Sequence, residues 1–188
     1  MPSTYLAHAF QPELEKEFVV VEWDQRGAGK SYRSGLAGSL TTEQLIADTV
    51  EMTNLLRTRF RQNKIYLAGH SWGTYLGMLV VARHPELYRG YVGIGQLARF
   101  APIHGIQDEY IRQSALKAGD LQAIRALDRG AAGAREKLLF RFGGELRNAR
   151  SFLPLLIAGL KAPEYSLRDA LDIPKGVSLY STTRFAAS

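Results

Sequence analysis

Residues 65–73, Ile65-Tyr66-Leu67-Ala68-Gly69-His70-Ser71-Trp72-Gly73, are the strongest indication of the fold of this chain. Its first four residues are apolar and partly β-branched, so they predict a buried strand. Helix formers follow from Thr74 to Arg83, until Pro85 prevents continuation of the helix. Between strand and helix lies the pattern G-x-S-x-G, which places a serine at a sharp, strained turn. The serine hydroxyl is expected at the tip of a sheet, beside a helix N-terminus that stabilises negative charge.

The residues around Ser71 have different expected roles in this turn. Gly69 and Gly73 are expected because a side chain at either position would crowd the backbone. His70 precedes the serine directly and is expected to point away from its hydroxyl, which makes it a poor general base. The alternative interpretation is a tight turn that carries an incidental serine. The strand before the turn and the helix after it favour a functional serine.

The first hundred residues alternate strand and helix signals. A helix is predicted over residues 5–17, a buried strand over residues 18–21 and a third strand over residues 91–94. Thr41-Thr42-Glu43-Gln44 is a capping box that begins a long amphipathic helix. Strands that alternate with helices predict an α/β fold with a parallel sheet. The apolar stripe of the long helix is predicted at Leu45, Ile46, Met52, Leu55, Leu56 and Phe60.

The strand signals end after about residue 100. Helix-length segments rich in Ala, Leu, Arg and Gly follow, and glycines separate them. Helices are predicted at about 107–118, 120–128, 134–142 and 146–161. The change predicts two domains, a core at residues 1–100 and a helical unit at residues 101–188 that packs on it.

The loop after the first predicted strand, Trp23-Asp24-Gln25-Arg26-Gly27-Ala28-Gly29-Lys30-Ser31, is a second motif. Its last three residues match the end of a phosphate-binding P-loop. That motif also needs a glycine five residues before Gly29, where this chain has Asp24. The spacing therefore argues against nucleotide binding.

Together the two motifs resemble those of the α/β-hydrolase superfamily, most closely its proline iminopeptidase (prolyl aminopeptidase) branch. The form D-Q-R-G-x-G-x-S at residues 24–31 resembles the loop after the fourth strand of that fold. Residues 68–75 resemble its nucleophile elbow. The resemblance implies a partial α/β-hydrolase core at residues 1–100, containing strands four to six, and a helical cap at residues 101–188.

The resemblance also implies an activity. It makes Ser71 the nucleophile of a serine hydrolase that forms an acyl-enzyme, and the backbone N–H of Trp72 an oxyanion-hole donor. Enzymes of this branch remove N-terminal proline from peptides and hold the free amine with cap carboxylates. Glu164 is the candidate for that contact, with Asp169 and Asp172 as further possibilities. The alternatives are a carboxylesterase on the same scaffold and a non-catalytic truncated remnant.

Departures from the family pattern predict that the chain is a fragment. The H-G-G-P-G-type loop of the family is absent, and the triad acid and base would follow the cap. The histidines after Ser71 are His84, expected at a helix end, and His104. Without the third strand of the family, strands at residues 18–22 and 65–68 would lack their shared neighbour. They would pair directly, recruit a strand from a partner chain or by self-association, or remain poorly formed.

Composition excludes several other functions. The 188 residues include no cysteine, 46% hydrophobic residues and 22% charged residues, as expected for a globular protein without disulfides. The sequence contains no signal peptide and no apolar run of membrane length, so a cytoplasmic location without a membrane partner is expected. The net charge of +6 is spread along the chain, which argues against nucleic acid. The chemistry needs no metal or organic cofactor, and a small peptide or ester is the expected substrate.

Overall fold

The structure is a computed structural model that describes residues 11–97, 103–131 and 133–145, together with residues 157, 166 and 175. These residues belong to two units. One comprises Met1–Ala98 with Ala158–Ser188, and the other comprises Arg99–Ile157. The division into a core at residues 1–100 and a cap at residues 101–188 stays a prediction.

The first unit is built around a strand–helix–strand motif. In chain order, its elements are α1 (Pro12–Glu15), α2 (Thr42–Arg59), β1 (Ile65–His70), α3 (Trp72–Arg83) and β2 (Tyr88–Ile94), with 3₁₀ turns at Gly29–Ser31, Leu36–Ser39 and Pro85–Leu87. β1 and β2 pair in parallel, from Ile65 opposite Tyr88 to His70 opposite Ile94. The α/β fold class is confirmed, together with the strands predicted before and after α3.

Helix α2 begins where the capping box predicts. The side-chain oxygen of Thr41 accepts a hydrogen bond from the N–H of Gln44 at 3.1 Å, which satisfies one donor of the first turn. The helix then packs against α3. The core cluster that α2 shares with α3 and β2 consists of Leu40, Leu45, Ile46, Leu76, Val80, Leu87 and Tyr88.

The apolar stripe predicted for α2 is wrong in its second half. Leu55 is 56% exposed and Phe60 is 37% exposed. The buried face continues instead through Thr49 and Thr53, and the hydroxyl of Thr53 lies 2.8 Å from the hydroxyl of Tyr88. Threonine is tolerated in the core because its hydroxyl has a partner there, which the periodicity of apolar residues does not reveal.

The strand predicted over residues 18–21 is a second error. Phe18 and Val19 are 52% and 70% exposed, and in the described part of the chain this segment pairs with neither β1 nor β2. An extended segment becomes a strand only when a neighbour bonds its backbone N–H and C=O groups. Direct pairing of residues 18–22 with residues 65–68 is therefore wrong, and recruitment of a strand from a partner chain stays a prediction. Of the helix predicted over residues 5–17, α1 is described, and residues 5–10 lie outside the described residues.

Three helices form the described part of the second unit: α4 (Ile103–Lys117), α5 (Leu121–Asp128) and α6 (Ala134–Arg141). They confirm the helices predicted at 107–118, 120–128 and 134–142. The segment 146–161 lies outside the described residues, apart from residue 157. The shared core of the three helices contains Ile111, Ala115, Ala123, Leu127, Leu138 and Leu139. No helix in the described ranges has the length and apolar character needed to cross a bilayer.

An ion pair holds the glycine-rich loop at residues 24–31 on α2. Arg26 donates from Nε and Nη2 to the two carboxylate oxygens of Asp48, at 2.6 and 2.7 Å. Gln44 adds a bond of 2.8 Å to the same carboxylate. The Asp48 side chain is only 9% exposed, and the hydrogen bonds from Arg26 hold its pKa below the ordinary value of an aspartate.

A second aspartate closes the loop from within. The Asp24 carboxylate accepts the N–H of Lys30 at 2.9 Å. It occupies the space beside Gly29, where an added Cβ would lie 2.3 Å from the carboxylate oxygen. The residue that breaks the P-loop pattern therefore stabilises this turn instead.

Replacing Asp48 with Asn is expected to lower the free energy of unfolding by about 1–3 kcal/mol at pH 7, because Arg26 would lose a charged partner. The pKa of Asp48 is depressed in the folded state, so the carboxylate stabilises the protein above the ordinary aspartate range and ceases to do so as pH falls. The stabilities of wild type and D48N, measured by urea denaturation, should therefore converge as pH falls below about 4.

The control is Glu43→Gln, which removes the exposed ion pair of Glu43 with Arg83. This variant should shift the midpoint much less, because solvent screens an exposed pair. If D48N and E43Q lowered the free energy of unfolding equally, the stabilising role of Asp48 would be contradicted.

Candidate active site

Ser71 occupies a strained turn between β1 and α3. Its backbone angles are φ 51° and ψ −116°, a combination that residues other than glycine rarely adopt. The residue is exposed, and α3 begins directly after it. The turn expected from G-x-S-x-G is thus present, with the serine at the N-terminal end of a 12-residue helix.

The carboxyl ends of the two strands fix the position of this turn. His70 lies opposite Ile94, and the N–H of Ser71 donates to the carbonyl of Ile94 at 2.9 Å. The carbonyl of Ser71 accepts the N–H of Thr74 at 2.9 Å and the hydroxyl of Thr74 at 2.6 Å. Both backbone polar groups of the strained residue are therefore bonded, which keeps the turn in its unfavourable conformation.

The two glycines of the motif differ in their structural roles. A Cβ added at Gly69 would lie 2.4 Å from the carbonyl oxygen of Gly73, so Gly69 is required for the close approach of strand and helix. At Gly73 an added Cβ would have no atom of the described residues within 4 Å. The prediction of crowding is therefore wrong at Gly73, because this position in the first turn of α3 faces open space.

Trp72 is the first residue of α3 and carries the candidate oxyanion donor. Backbone N–H groups in the first turn point out of the N-terminal end of a helix and favour negative charge there, together with the helix dipole. The indole ring of Trp72 lies against the ring of Tyr75, with centroids 5.3 Å apart. A negatively charged oxygen formed beside Ser71 would meet both this N–H and the positive end of the dipole.

His84 lies at the wrong end of α3 to act on Ser71. It ends the helix, donates its N–H to Val80 at 2.8 Å and has its imidazole 3.3 Å from the Glu86 carboxylate. A helix of this length rises about 18 Å, so the imidazole is far outside the reach of a proton transfer. The position at a helix end that the sequence predicts for His84 is confirmed.

The remaining candidate residues belong to the second unit or lie outside the described residues. His104 lies in the first turn of α4, in the second unit. Glu164, Asp169 and Asp172 lie outside the described residues. In the part of the chain that the structure describes, no group of three or more His, Asp or Glu residues could hold a metal ion.

Sequence reasoning missed the hydrogen bonds behind the turn. The hydroxyl of Tyr91 donates to the carbonyl of Thr74 at 2.8 Å, and the N–H of Leu97 donates to the Thr74 hydroxyl at 2.9 Å. The bonded residues are separated by 17 and 23 positions in the chain. No local motif could have revealed these bonds, since they depend on how β2 lies beside α3.

The family to which the chain belongs agrees with this geometry. Residues 4–126 match the family model described as serine aminopeptidase, S33. The chain therefore belongs to this family, whose members have the α/β-hydrolase fold, and the resemblance read from the two motifs is confirmed.

Curated relatives support the same assignment. The chain is 34% identical over 176 residues to a probable aminopeptidase, YbaC, of Bacillus subtilis (strain 168), a match that covers 88% of this chain and 55% of the relative. It is 34% identical over 83 residues to the proline iminopeptidase of Neisseria gonorrhoeae, covering 44% of this chain and 24% of that protein. The chain thus spans about half the length of YbaC, and its shorter match covers about a quarter of the Neisseria protein. No solved structure gives a significant match.

Gly69→Ala and Gly73→Ala form a matched pair of substitutions. G69A should lower the free energy of unfolding by about 2–4 kcal/mol, because its methyl group would overlap the Gly73 carbonyl. G73A should be tolerated or slightly stabilising, since alanine favours the helix that begins there. Thermal and urea denaturation would measure both effects, and a G69A protein as stable as G73A would contradict the close approach at Gly69.

Glycine at position 71 should relieve the backbone strain. Ser71→Gly is expected to be more stable than Ser71→Ala by about 1 kcal/mol, because glycine adopts the positive φ angle without a steric penalty. Urea denaturation of the two variants gives this difference directly. A less stable S71G would show that the turn is not strained in solution.

Proposed function

We propose that this protein is a serine aminopeptidase in which Ser71 is the nucleophile. One observation carries the proposal: an exposed serine with φ 51° precedes the N-terminus of α3, in a chain of the serine aminopeptidase family. Strain of this kind persists only when the surrounding structure imposes it, and it is concentrated at functional sites. The turn presents the hydroxyl to solvent at the carboxyl edge of β1, where a substrate carbonyl has access.

The reaction that fits this geometry is acyl transfer. The Ser71 hydroxyl attacks the carbonyl carbon of the substrate, while the N–H of Trp72 and the helix N-terminus stabilise the negative oxygen. Collapse of the tetrahedral intermediate expels the amine and leaves an acyl-enzyme, which water then hydrolyses. The finer assignment is removal of N-terminal proline, supported by the relatives named proline iminopeptidase. The broader one, aminopeptidase, is supported by the longer match to YbaC.

The proposed reaction needs a base to take the hydroxyl proton. The described part of the first unit contains two histidines, His70 and His84. His84 is at the far end of α3, and His70 is the chain neighbour of the serine. The activity therefore requires a base outside these residues. Glu164 is our proposed contact for the free amine of a small peptide substrate.

In that part of the chain, no histidine is positioned to accept the proton of the Ser71 hydroxyl. This observation also supports a second candidate function. In this alternative the chain keeps the hydrolase scaffold without hydrolysis. A serine with no activating base would react slower by a factor of about 10⁴–10⁶. Reactivity of Ser71 therefore separates the two candidates.

The experiment is labelling with a fluorophosphonate probe, followed by assays on prolyl- and alanyl-4-nitroanilide. Labelling should disappear in Ser71→Ala and persist in Ser166→Ala, an exposed serine in the same unit. Turnover in S71A should fall by at least about 10⁴-fold. A folded wild-type chain that takes up no label would overturn the proposed activity and support the non-catalytic alternative.

The substrate assays test the class of hydrolase. An aminopeptidase should cleave the free-amine anilides and fail on their N-acetylated forms, because the free amine supplies binding energy. Cleavage of 4-nitrophenyl acetate with no activity on either anilide would instead identify a carboxylesterase. A higher rate on prolyl- than on alanyl-4-nitroanilide would support the proline-specific assignment.

A further inference from the structure

Thr74 is the most completely buried polar residue beside the strained turn. Its exposed fraction is 0%, although it lies in the first turn of α3, only three positions after the exposed Ser71. A threonine hydroxyl can donate one hydrogen bond and accept two. Here it donates to the carbonyl of Ser71 at 2.6 Å and accepts the N–H of Leu97 at 2.9 Å. One side-chain oxygen thus joins the turn to the loop at residues 95–97 that follows β2.

Tyr91 supports the same point from the neighbouring strand. Its hydroxyl donates to the carbonyl of Thr74 at 2.8 Å. Its ring lies against Gly77, where an added Cβ would be 2.6 Å from a ring carbon. The absence of a side chain at Gly77 therefore lets β2 approach α3 closely enough for the tyrosine to reach the first turn.

Thr74 makes two hydrogen bonds to the backbone of Ser71 within the described structure. The N–H of Thr74 and its hydroxyl both donate to the Ser71 carbonyl, and a further bond joins the Ser71 N–H to Ile94. A strained conformation persists only while its surroundings over-determine it. Loss of the Thr74 hydroxyl would remove one bond from Ser71 and leave the N–H of Leu97 without this acceptor.

We propose that Thr74 is a positioning residue, which holds the Ser71 turn and the loop at residues 95–97 in one fixed arrangement. The part of this inference that concerns reactivity rests on the proposed function. Thr74 is 0% exposed and so offers no surface for contact with a substrate. It acts by fixing the direction of the Ser71 hydroxyl, and a small displacement of a reacting group is enough to slow a reaction strongly.

The test compares Thr74→Val, Thr74→Ser and Thr49→Val. Valine has the shape of threonine without the hydroxyl, and serine keeps the hydroxyl without the methyl group. Thr49 is the matched control because it is also buried and its hydroxyl also donates to a backbone carbonyl, that of Leu45, at 2.6 Å. It lies on α2, and its hydroxyl bonds within that helix and not to the turn.

The first readout is the second-order rate constant of fluorophosphonate labelling, with the melting temperature measured alongside. T74V should be labelled roughly 10- to 100-fold more slowly than wild type, and T74S within about threefold of wild type. T49V should keep the wild-type rate even if its melting temperature falls as much as that of T74V. Equal rates in T74V and T49V, or a T74S protein as slow as T74V, would overturn the positioning role.

The second readout is the rate of amide hydrogen exchange at Leu97, which is measured by NMR. Exchange should be faster in T74V than in T49V, because only T74V loses the acceptor of this N–H. If T74V does not fold, Tyr91→Phe replaces it, since this variant removes the hydroxyl contacts to Thr74 and to Gln96 of the same loop and keeps the ring on Gly77. Labelling and Leu97 exchange unchanged in Y91F would then overturn the proposal.

The two readouts separate this inference from the proposed function. A wild-type chain that is not labelled overturns the proposed function, and the exchange of Leu97 then decides whether Thr74 holds the loop. A labelled wild type with no effect of T74V overturns the inference alone.

Discussion

The parallel pairing of β1 with β2 is the interaction on which the described site depends. It brings the carboxyl ends of both strands to one edge, so that the carbonyl of Ile94 accepts the N–H of Ser71 at 2.9 Å. That bond directs the chain out of β1 at a sharp angle, and α3 can then return over the two strands. Without the second strand, the N–H of the strained Ser71 would lose its bond to Ile94, and only the bonds from Thr74 would oppose relaxation to a common backbone conformation.

Close approach between α3 and the strands is the second condition. Gly69 has no room for a Cβ beside Gly73, and Gly77 has none beside the Tyr91 ring. Small residues at these two positions let the helix pack directly on the sheet, where Leu76 and Val80 join the core. The buried hydroxyl of Thr74 is compatible with this packing because both its donor and acceptor capacities are used. Packing and polar bonding therefore act together to fix a residue that local preferences disfavour.

The loop at residues 24–31 is held in place by an ion pair and not by pairing between strands. Residues 18–22 make no strand pairing in the described structure, yet the loop that follows them is anchored by Arg26 on the carboxylate of Asp48. The Asp48 side chain is nearly buried, so its bidentate pair with Arg26 gives orientation as well as attraction. Above β1, in contrast, Phe18 meets Tyr66 only at a ring edge, with centroids 5.9 Å apart. The loop therefore has a side-chain anchor on α2, whereas the apolar segment before it pairs with neither described strand.

Short-range spacing and capping residues encode the local elements, so the serine turn, the cap of α2 and the described helices of the second unit could be predicted from the sequence. The family resemblance could also be recognised from the sequence, because each of the two motifs is a contiguous run of residues. Strand pairing and the hydrogen bonds that support Ser71 depend instead on tertiary structure. The segment 18–21 is apolar enough for a strand, but a strand needs a bonded neighbour. Thr74 and Tyr91 bear no motif, since their bonds join residues 17 and 23 positions apart. Those bonds exist only once β2 lies beside α3, and so the support of Ser71 could be seen only in the folded chain.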